Sequence, residues 1–191
     1  PDATGGRREI EVPGLGKREY YLALPAGYGP DRSWPLAVSL HGAGGNGPDE
    51  FTWCWSKWRA QWSGFVACPS GIPAGAQWFP QQRDFVMAML ADLKRNFSID
   101  DNRVALHGFS NGGNGAWYYG CSFPSLWCGM ITRSGAPQNV AFMTNLMNLP
   151  CTIVHGNQDA VISGRADRQA AALLQQLGGA VVYKEMPGGH H

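Results

Sequence analysis

A chain of 191 residues has room for one domain of ordinary size and can bury a sizeable core. With 44% hydrophobic residues and eight Trp, its 26 Gly and 13 Pro do not signal a disordered or fibrous chain. Fifteen Lys+Arg against 14 Asp+Glu leave a net charge of +1, with no basic stripe for nucleic acid, and no apolar run of 18 residues offers a membrane span. The start at Pro1, with no apolar signal region behind it, points to a soluble form with a cut or engineered boundary.

In chain order, Glu9 to Val12 and Arg18 to Leu24 alternate apolar and polar residues around Pro13-Gly-Leu-Gly16, which predicts an antiparallel hairpin. The pattern then changes. Six short, mostly apolar segments read as buried strands: Trp34 to Leu40, Gly64 to Cys68, Arg103 to Leu106, Cys128 to Thr132, Cys151 to Val154 and Ala180 to Met186. Helical stretches lie between them, at Glu50 to Trp62, Asp84 to Phe97, Asn114 to Phe123 and Ala166 to Leu177. On or beside the first of these lie Trp53, Trp55, Trp58 and Trp62, of which 55, 58 and 62 share a face, so most of these tryptophans are expected in the core. Alternating strands and helices predict an α/β fold in one domain over 1–191, with a mostly parallel sheet, helices on both faces and the hairpin at one edge.

The five cysteines have neither CxxC spacing nor His partners at metal-finger intervals, so no metal site is expected. Cys68 and Cys151 read as small buried hydrophobes, while Cys121 and Cys128 bracket a turn and are spaced for a disulfide in an oxidising compartment.

In a parallel sheet, catalytic groups gather in the loops beyond the C-terminal strand ends. Four such loops carry chemistry here: His41 to Gly47, His107 to Gly113, His155 to Asp159 and Pro187 to His191. Gly108-Phe-Ser-Asn-Gly112 fits G-x-S-x-G, the turn that holds a serine at a strained strand-to-helix junction. A serine hydroxyl needs a base, and imidazole titrates in the right range. His41, His107 and His155 each precede Gly at a strand end, where the ring packs against or bonds its own loop. The base is therefore expected in the last loop, with His190 preferred over His191.

A carboxylate must hold the base in one tautomer. Downstream of Ser110 stand only Asp159, Asp167 and Glu185; Asp167 falls in a helix and Glu185 in a strand, which leaves Asp159. Acyl transfer also needs preorganised N–H donors for the developing oxyanion. The amide of Asn111, after the serine, and that of Ala43, in the glycine-rich loop, suit that need, and no Lys-Ser/Thr pair follows those glycines to make a phosphate cradle. Trp78, in the Gly- and Pro-rich segment Gly71 to Pro80 beyond the second buried strand, is placed to wall an acyl pocket.

The segments LHGAGGNG, RVALHGFSNGG, HGNQDAVIS and the final PGGH resemble the secreted poly(3-hydroxybutyrate) depolymerase and feruloyl-esterase-like branch of the α/β-hydrolase superfamily, from about Arg18 to His191. The resemblance implies a serine esterase without cofactor or metal, with Ser110, Asp159 and His190 as triad and Ala43 and Asn111 as oxyanion donors. It also implies a small or polymeric ester substrate and favours a secreted or periplasmic location; a monomer is expected. A peptidase or acyltransferase with the same triad, or a non-catalytic binding protein, are the alternatives. Against the family pattern no helix is expected after His190 and no added polymer-binding domain, so the chain reads as truncated or minimal.

Overall fold

The alternating segments before Pro25 pair as anticipated. In the computed structural model, which describes residues 5–71, 77–138 and 140–191, β1 (Gly6–Val12) and β2 (Gly16–Ala23) form an antiparallel hairpin in register Val12 opposite Gly16 to Gly6 opposite Leu22. The chain forms two compact units, 1–104 and 105–191. In the first, β2 pairs antiparallel with β4 (Phe65–Pro69), which pairs parallel with β3 (Trp34–Leu40). These strands have no wet face: all five residues of β4 are buried, as are six of seven in β3, which is why both read as continuous apolar runs.

Helix α2 (Arg83–Asn96) buries Phe85, Val86, Met89, Leu90 and Leu93, the i, i+3, i+4 stripe that its sequence displays. Asp84 stands in its first turn and Lys94 and Arg95 in its last, the arrangement that complements the helix dipole. The predicted helix from Glu50 to Trp62 is different. Asn46 caps a short α1 (Gly47–Glu50) by accepting from the Asp49 amide, and the chain then widens into a π-helical turn over Phe51–Trp55. The Thr52 and Ser56 hydroxyls bond back to the carbonyls of Pro48 and Thr52, and the Ser56 amide reaches the Phe51 carbonyl five residues back. The angular spacing that would have aligned the tryptophans is lost. Trp55 and Trp62 pack partly on the buried Ala23, Val66 and Cys68, but Trp53 is 81% and Trp58 58% exposed, so the expected tryptophan core is corrected to two half-buried rings and two outward ones.

In the second unit β5 (Ile99–Phe109, beginning in the first), β6 (Gly129–Arg133), β7 (Cys151–Gly156) and β8 (Val181–Met186) are parallel in that order. Helices α3 (Asn111–Ser122) and α4 (Arg165–Gln176) follow β5 and β7, and Trp117, Tyr119, Met130, Ile153, Ala170 and Leu174 are buried. β8 is an edge strand with only Val181 and Tyr183 half-buried and its other residues exposed, so it is not the buried strand its apolar start predicts. The architecture is α/β, mostly parallel, with an N-terminal antiparallel hairpin. No helix among the described residues is long and apolar enough to cross a membrane.

All five cysteines are free thiols, so the Cys121–Cys128 pairing that their spacing allows is not made. Cys68 and Cys151 are buried as expected, and burial pushes the Cys151 thiol up to about 12.

The contrast between inward and outward aromatics is measurable. Phe85→Ala should cost about 3–5 kcal/mol, and Trp53→Ala should stay within about 0.5 kcal/mol of the parent in urea unfolding. A comparable loss for both would contradict the outward placement of Trp53.

Candidate active site

β5 ends at Phe109 and α3 begins at Asn111, which leaves one residue, Ser110, to make the turn. It does so at φ 55°, ψ −121°, a strained conformation for a non-glycine residue. Its amide donates to the Arg133 carbonyl at 2.9 Å and its carbonyl accepts from the Asn114 amide at 3.0 Å, so the turn is held from both sides. The glycines around it have a steric cause. A Cβ on Gly108 would stand 2.0 Å from the Gly112 carbonyl oxygen, and one on Gly113 would stand 2.9 Å from the Arg133 oxygen and the Gly135 Cα. Without side chains at these positions, the first turn of α3 can lie against the strand ends.

The acid loop follows β7. Asp159 Oδ1 accepts from the amides of Val161 and Ile162 at 2.8 and 2.9 Å, which makes the carboxylate part of the turn. Burial opposes its ionisation, but these amides and the His191 ring outweigh it and hold the carboxyl down to about 2.

The last loop docks on the acid loop through backbone. Gln158 donates to the Gly189 carbonyl at 2.9 Å, and the Asn157 side chain accepts from the Gly188 amide at 2.9 Å. A Cβ on Gly156 would meet the Gly189 carbonyl oxygen at 2.3 Å and the His190 oxygen at 2.8 Å, so glycine at 156 permits this approach.

His191 Nδ1 lies 2.8 Å from Asp159 Oδ2, and His191 Nε2 lies 2.7 Å from Ser110 Oγ. A carboxylate only accepts, so Nδ1 carries the proton and Nε2 is free to accept the serine hydroxyl. The ring leans on Phe109 with centroids 5.3 Å apart, and the Arg133 guanidinium covers that phenyl ring at 5.5 Å. The preference for His190 is therefore corrected. With the Gly189 carbonyl held by the Gln158 amide, it is the second histidine that reaches Ser110. His190 is exposed, and no hydrogen bond from its ring reaches the site.

Trp78 is also corrected. It is 1% exposed, its indole N–H donates to the His41 carbonyl at 2.9 Å, and its ring stands edge-on to the His41 imidazole at 4.8 Å. It ties its segment to the His41 loop, and at 1% exposure it has almost no surface left for a ligand. Residues 72–76 of the Gly71 to Pro80 segment lie outside the described residues. His41 behaves as a loop histidine: Nδ1 donates to the Gly42 carbonyl at 2.7 Å, Nε2 accepts from the Gly71 amide at 2.8 Å, and burial lowers its pKa. Ala43 is an exposed residue of that loop in the first unit, and Asn111 opens α3 in the second.

His155 bonds its own loop, as its place before Gly156 suggests, but its pairing with Asp167, and through it with Trp117, was not foreseen. His155 Nδ1 lies 2.8 Å from Asp167 Oδ2, its Nε2 is 2.8 Å from the Ile162 carbonyl and 3.3 Å from Asp159 Oδ2, and the Trp117 indole donates to Asp167 Oδ1 at 3.0 Å. One signal was available. Asp167 opens a helix on whose buried face it would fall, and a carboxylate there needs partners.

The chain matches a family model described as phospholipase/carboxylesterase over residues 76–191. It is 30% identical over 129 residues to feruloyl esterase C of Emericella nidulans, across 64% of this chain and 46% of that protein. It is 27% identical over 142 residues to a probable feruloyl esterase C of Aspergillus terreus, across 71% and 51%. The chain thus spans about half the length of these curated relatives. Among solved structures, a thermostable esterase superposes with a TM-score of 0.84 at 26% identity, covering 97% of this chain and 55% of the other. A ferulic acid esterase from Anaeromyces mucronatus superposes at 0.81 with 16% identity, covering 100% and 89%, which is a likeness of fold.

Truncating Trp78 to Ala should cost about 3–5 kcal/mol of stability for its buried ring. Trp78→Phe should cost about 1–3 kcal/mol by leaving the His41 carbonyl without its donor. Chemical denaturation checks both, and a Trp78→Ala variant as stable as the parent would contradict the bracing role.

Proposed function

Because the chain belongs to the phospholipase/carboxylesterase family with an α/β-hydrolase fold, we propose that it hydrolyses carboxylic esters through Ser110, His191 and Asp159. The observation that carries this reading is His191 bridging Ser110 Oγ and Asp159 Oδ2 at 2.7 and 2.8 Å. His191 Nε2 takes the hydroxyl proton as Oγ attacks the ester carbonyl. Asp159 holds Nδ1–H in place and stabilises the imidazolium that forms, without itself taking the proton. The Asn111 amide, at the positive end of α3, donates to the oxyanion, and Ala43 is assigned as second donor on its sequence position alone. Collapse of the tetrahedral species expels the alcohol with the proton from His191. Water, activated by the same imidazole, then releases the acid from the acyl-serine.

Feruloyl and other small acyl esters are the proposed substrate class, supported by the feruloyl esterase names of the relatives. A hydroxybutyrate polyester is the second candidate, carried by the sequence resemblance, and with it comes a secreted location.

A fluorophosphonate should add one equivalent to the intact protein and none to Ser110→Ala, read by mass spectrometry. Ser110→Ala should lower ester turnover by roughly 10⁴–10⁶. His191→Ala should fall about as far while His190→Ala stays close to the parent; the reverse order would unseat His191 as the base. A panel of feruloyl, acetyl and hydroxybutyrate p-nitrophenyl esters would rank the substrate class by kcat/KM.

A further inference from the structure

The first unit carries a groove that the ester chemistry does not use. Its volume is about 730 Å³, and it is lined by Ala26, Arg32 and Trp34 from one stretch of chain and by Phe51, Arg59 and Trp62 from another. Sites for small ligands span roughly 300–1,000 Å³, so the groove has room for one. The π-helical turn contributes to its wall: Phe51 and Ser56, both lining residues, are the two ends of a 3.0 Å backbone hydrogen bond of that turn, and π turns are frequent at functional sites. Two guanidiniums line the groove and no carboxylate does. The Arg32 guanidinium lies over the Trp34 ring at 3.6 Å, and that ring is fixed by burial and by its indole N–H on the Gly29 carbonyl at 2.9 Å. Stacking engages the face of a guanidinium and leaves its in-plane N–H fork for a carboxylate. Arg59 is held through Nη1 alone, on the carbonyls of Trp62 at 3.0 Å and Gly64 at 3.3 Å, and burial pulls its pKa down. Among the described residues neither guanidinium has a carboxylate partner, whereas Arg7, Arg83, Arg103 and Arg168 are paired with Glu19, Asp84, Asp100 and Glu185.

We propose that this groove binds a small aromatic carboxylate, with its ring against Phe51 and Trp62 and its carboxylate on the guanidiniums of Arg32 and Arg59. The inference stands apart from the esterase reading, because every residue of the groove belongs to 1–104 and Ser110, Asp159 and His191 belong to 105–191. Each part of such a ligand answers a feature of the groove. Phe51 and Trp62 are partly buried rings packed on Ala23, Val66 and Cys68, an apolar wall that a flat ring can cover. A bare anion would leave that wall in water, and a neutral ring would leave two cations without a partner. The aromatic carboxylate supplies both parts at once. A guanidinium already partly out of water, as Arg59 is, gains more from an anion than a fully solvated one, because water screens the pair less. Arg32 adds a fork whose position is set before the ligand arrives, so little side-chain freedom is lost on binding.

The test separates charge from ring. In ¹H–¹⁵N spectra of the full chain, trans-cinnamate at up to about 10 mM should shift the Trp62 indole and the Ala26 and Ala60 amides along a saturating curve. Cinnamyl alcohol, which keeps the ring without the charge, and acetate, which keeps the charge without the ring, should each move those signals less than about a tenth as far at equal concentration. Arg32→Gln removes one fork at an exposed position and should weaken cinnamate binding roughly tenfold. Arg59 is left in place because it also holds the turn. Ala60→Glu, likewise at an exposed position, sets a carboxylate of the protein's own beside the guanidiniums and should abolish the shifts. No shift of the Trp62 indole with cinnamate, shifts as large with cinnamyl alcohol or acetate, or an Ala60→Glu variant that binds like the parent would each overturn the proposal. Signals around Ser110 report separately on any cinnamate held at the triad, so the fate of the esterase reading and that of the groove are told apart.

Discussion

The Asp159 carboxylate is the constraint around which the second unit is organised. Its Oδ1 closes the loop after β7 through the amides of Val161 and Ile162, and its Oδ2 accepts from the His191 ring, with His155 Nε2 3.3 Å away. A buried carboxylate keeps its charge only where donors replace the water it has lost. Every donor here comes from a segment that must be in place, so loop conformation, ionisation and the direction of the His191 ring are one arrangement rather than three. The low pKa of Asp159 and the position of His191 follow from it.

Glycine sterics supply the complementary condition. At Gly108 and Gly156 an added Cβ would fall 2.0 and 2.3 Å from a carbonyl oxygen, well inside any contact a side chain can make. The first lets the turn of α3 close over the end of β5 with Ser110 in its strained conformation, and the second lets the histidine loop rest on the end of β7. Strain at Ser110 persists because Arg133 and Asn114 hold its amide and carbonyl, the over-determination that a strained functional residue requires. The nucleophile is therefore held at a strand end, while the acid and the base sit in two loops tied to each other through Gln158, Asn157 and Gly189.

Much of this is local chemistry that a sequence displays. The G-x-S-x-G turn, the apolar runs of β3 and β4 and the stripe of α2 all depend on near neighbours or on a period, and each of these elements lies within a few residues of its predicted place. What misled was spacing read without its tertiary partner. The 50–62 segment has helical periodicity, but its turn over Phe51–Trp55 is π-helical, Trp53 and Trp58 lie outward, and only Trp55 and Trp62 find the buried Ala23, Val66 and Cys68. Trp78 looked like a free aromatic in a Gly- and Pro-rich loop until its indole found the His41 carbonyl, 37 residues away in the chain.

By itself the sequence determined the fold class, the serine at its strained turn and the order serine, aspartate, histidine, because these are written in strand–turn–helix patterns and in the few residues able to do the chemistry. Tertiary structure decided between His190 and His191, since that choice rests on where Gln158 pins the Gly189 carbonyl and so on the phase in which the chain reaches Ser110. It also decided that Asp167 is buried against His155 and Trp117, a pairing across 12 and 50 residues of chain that no local pattern encodes. Local propensities set what each segment can be, and only packing sets which side chains share a buried charge.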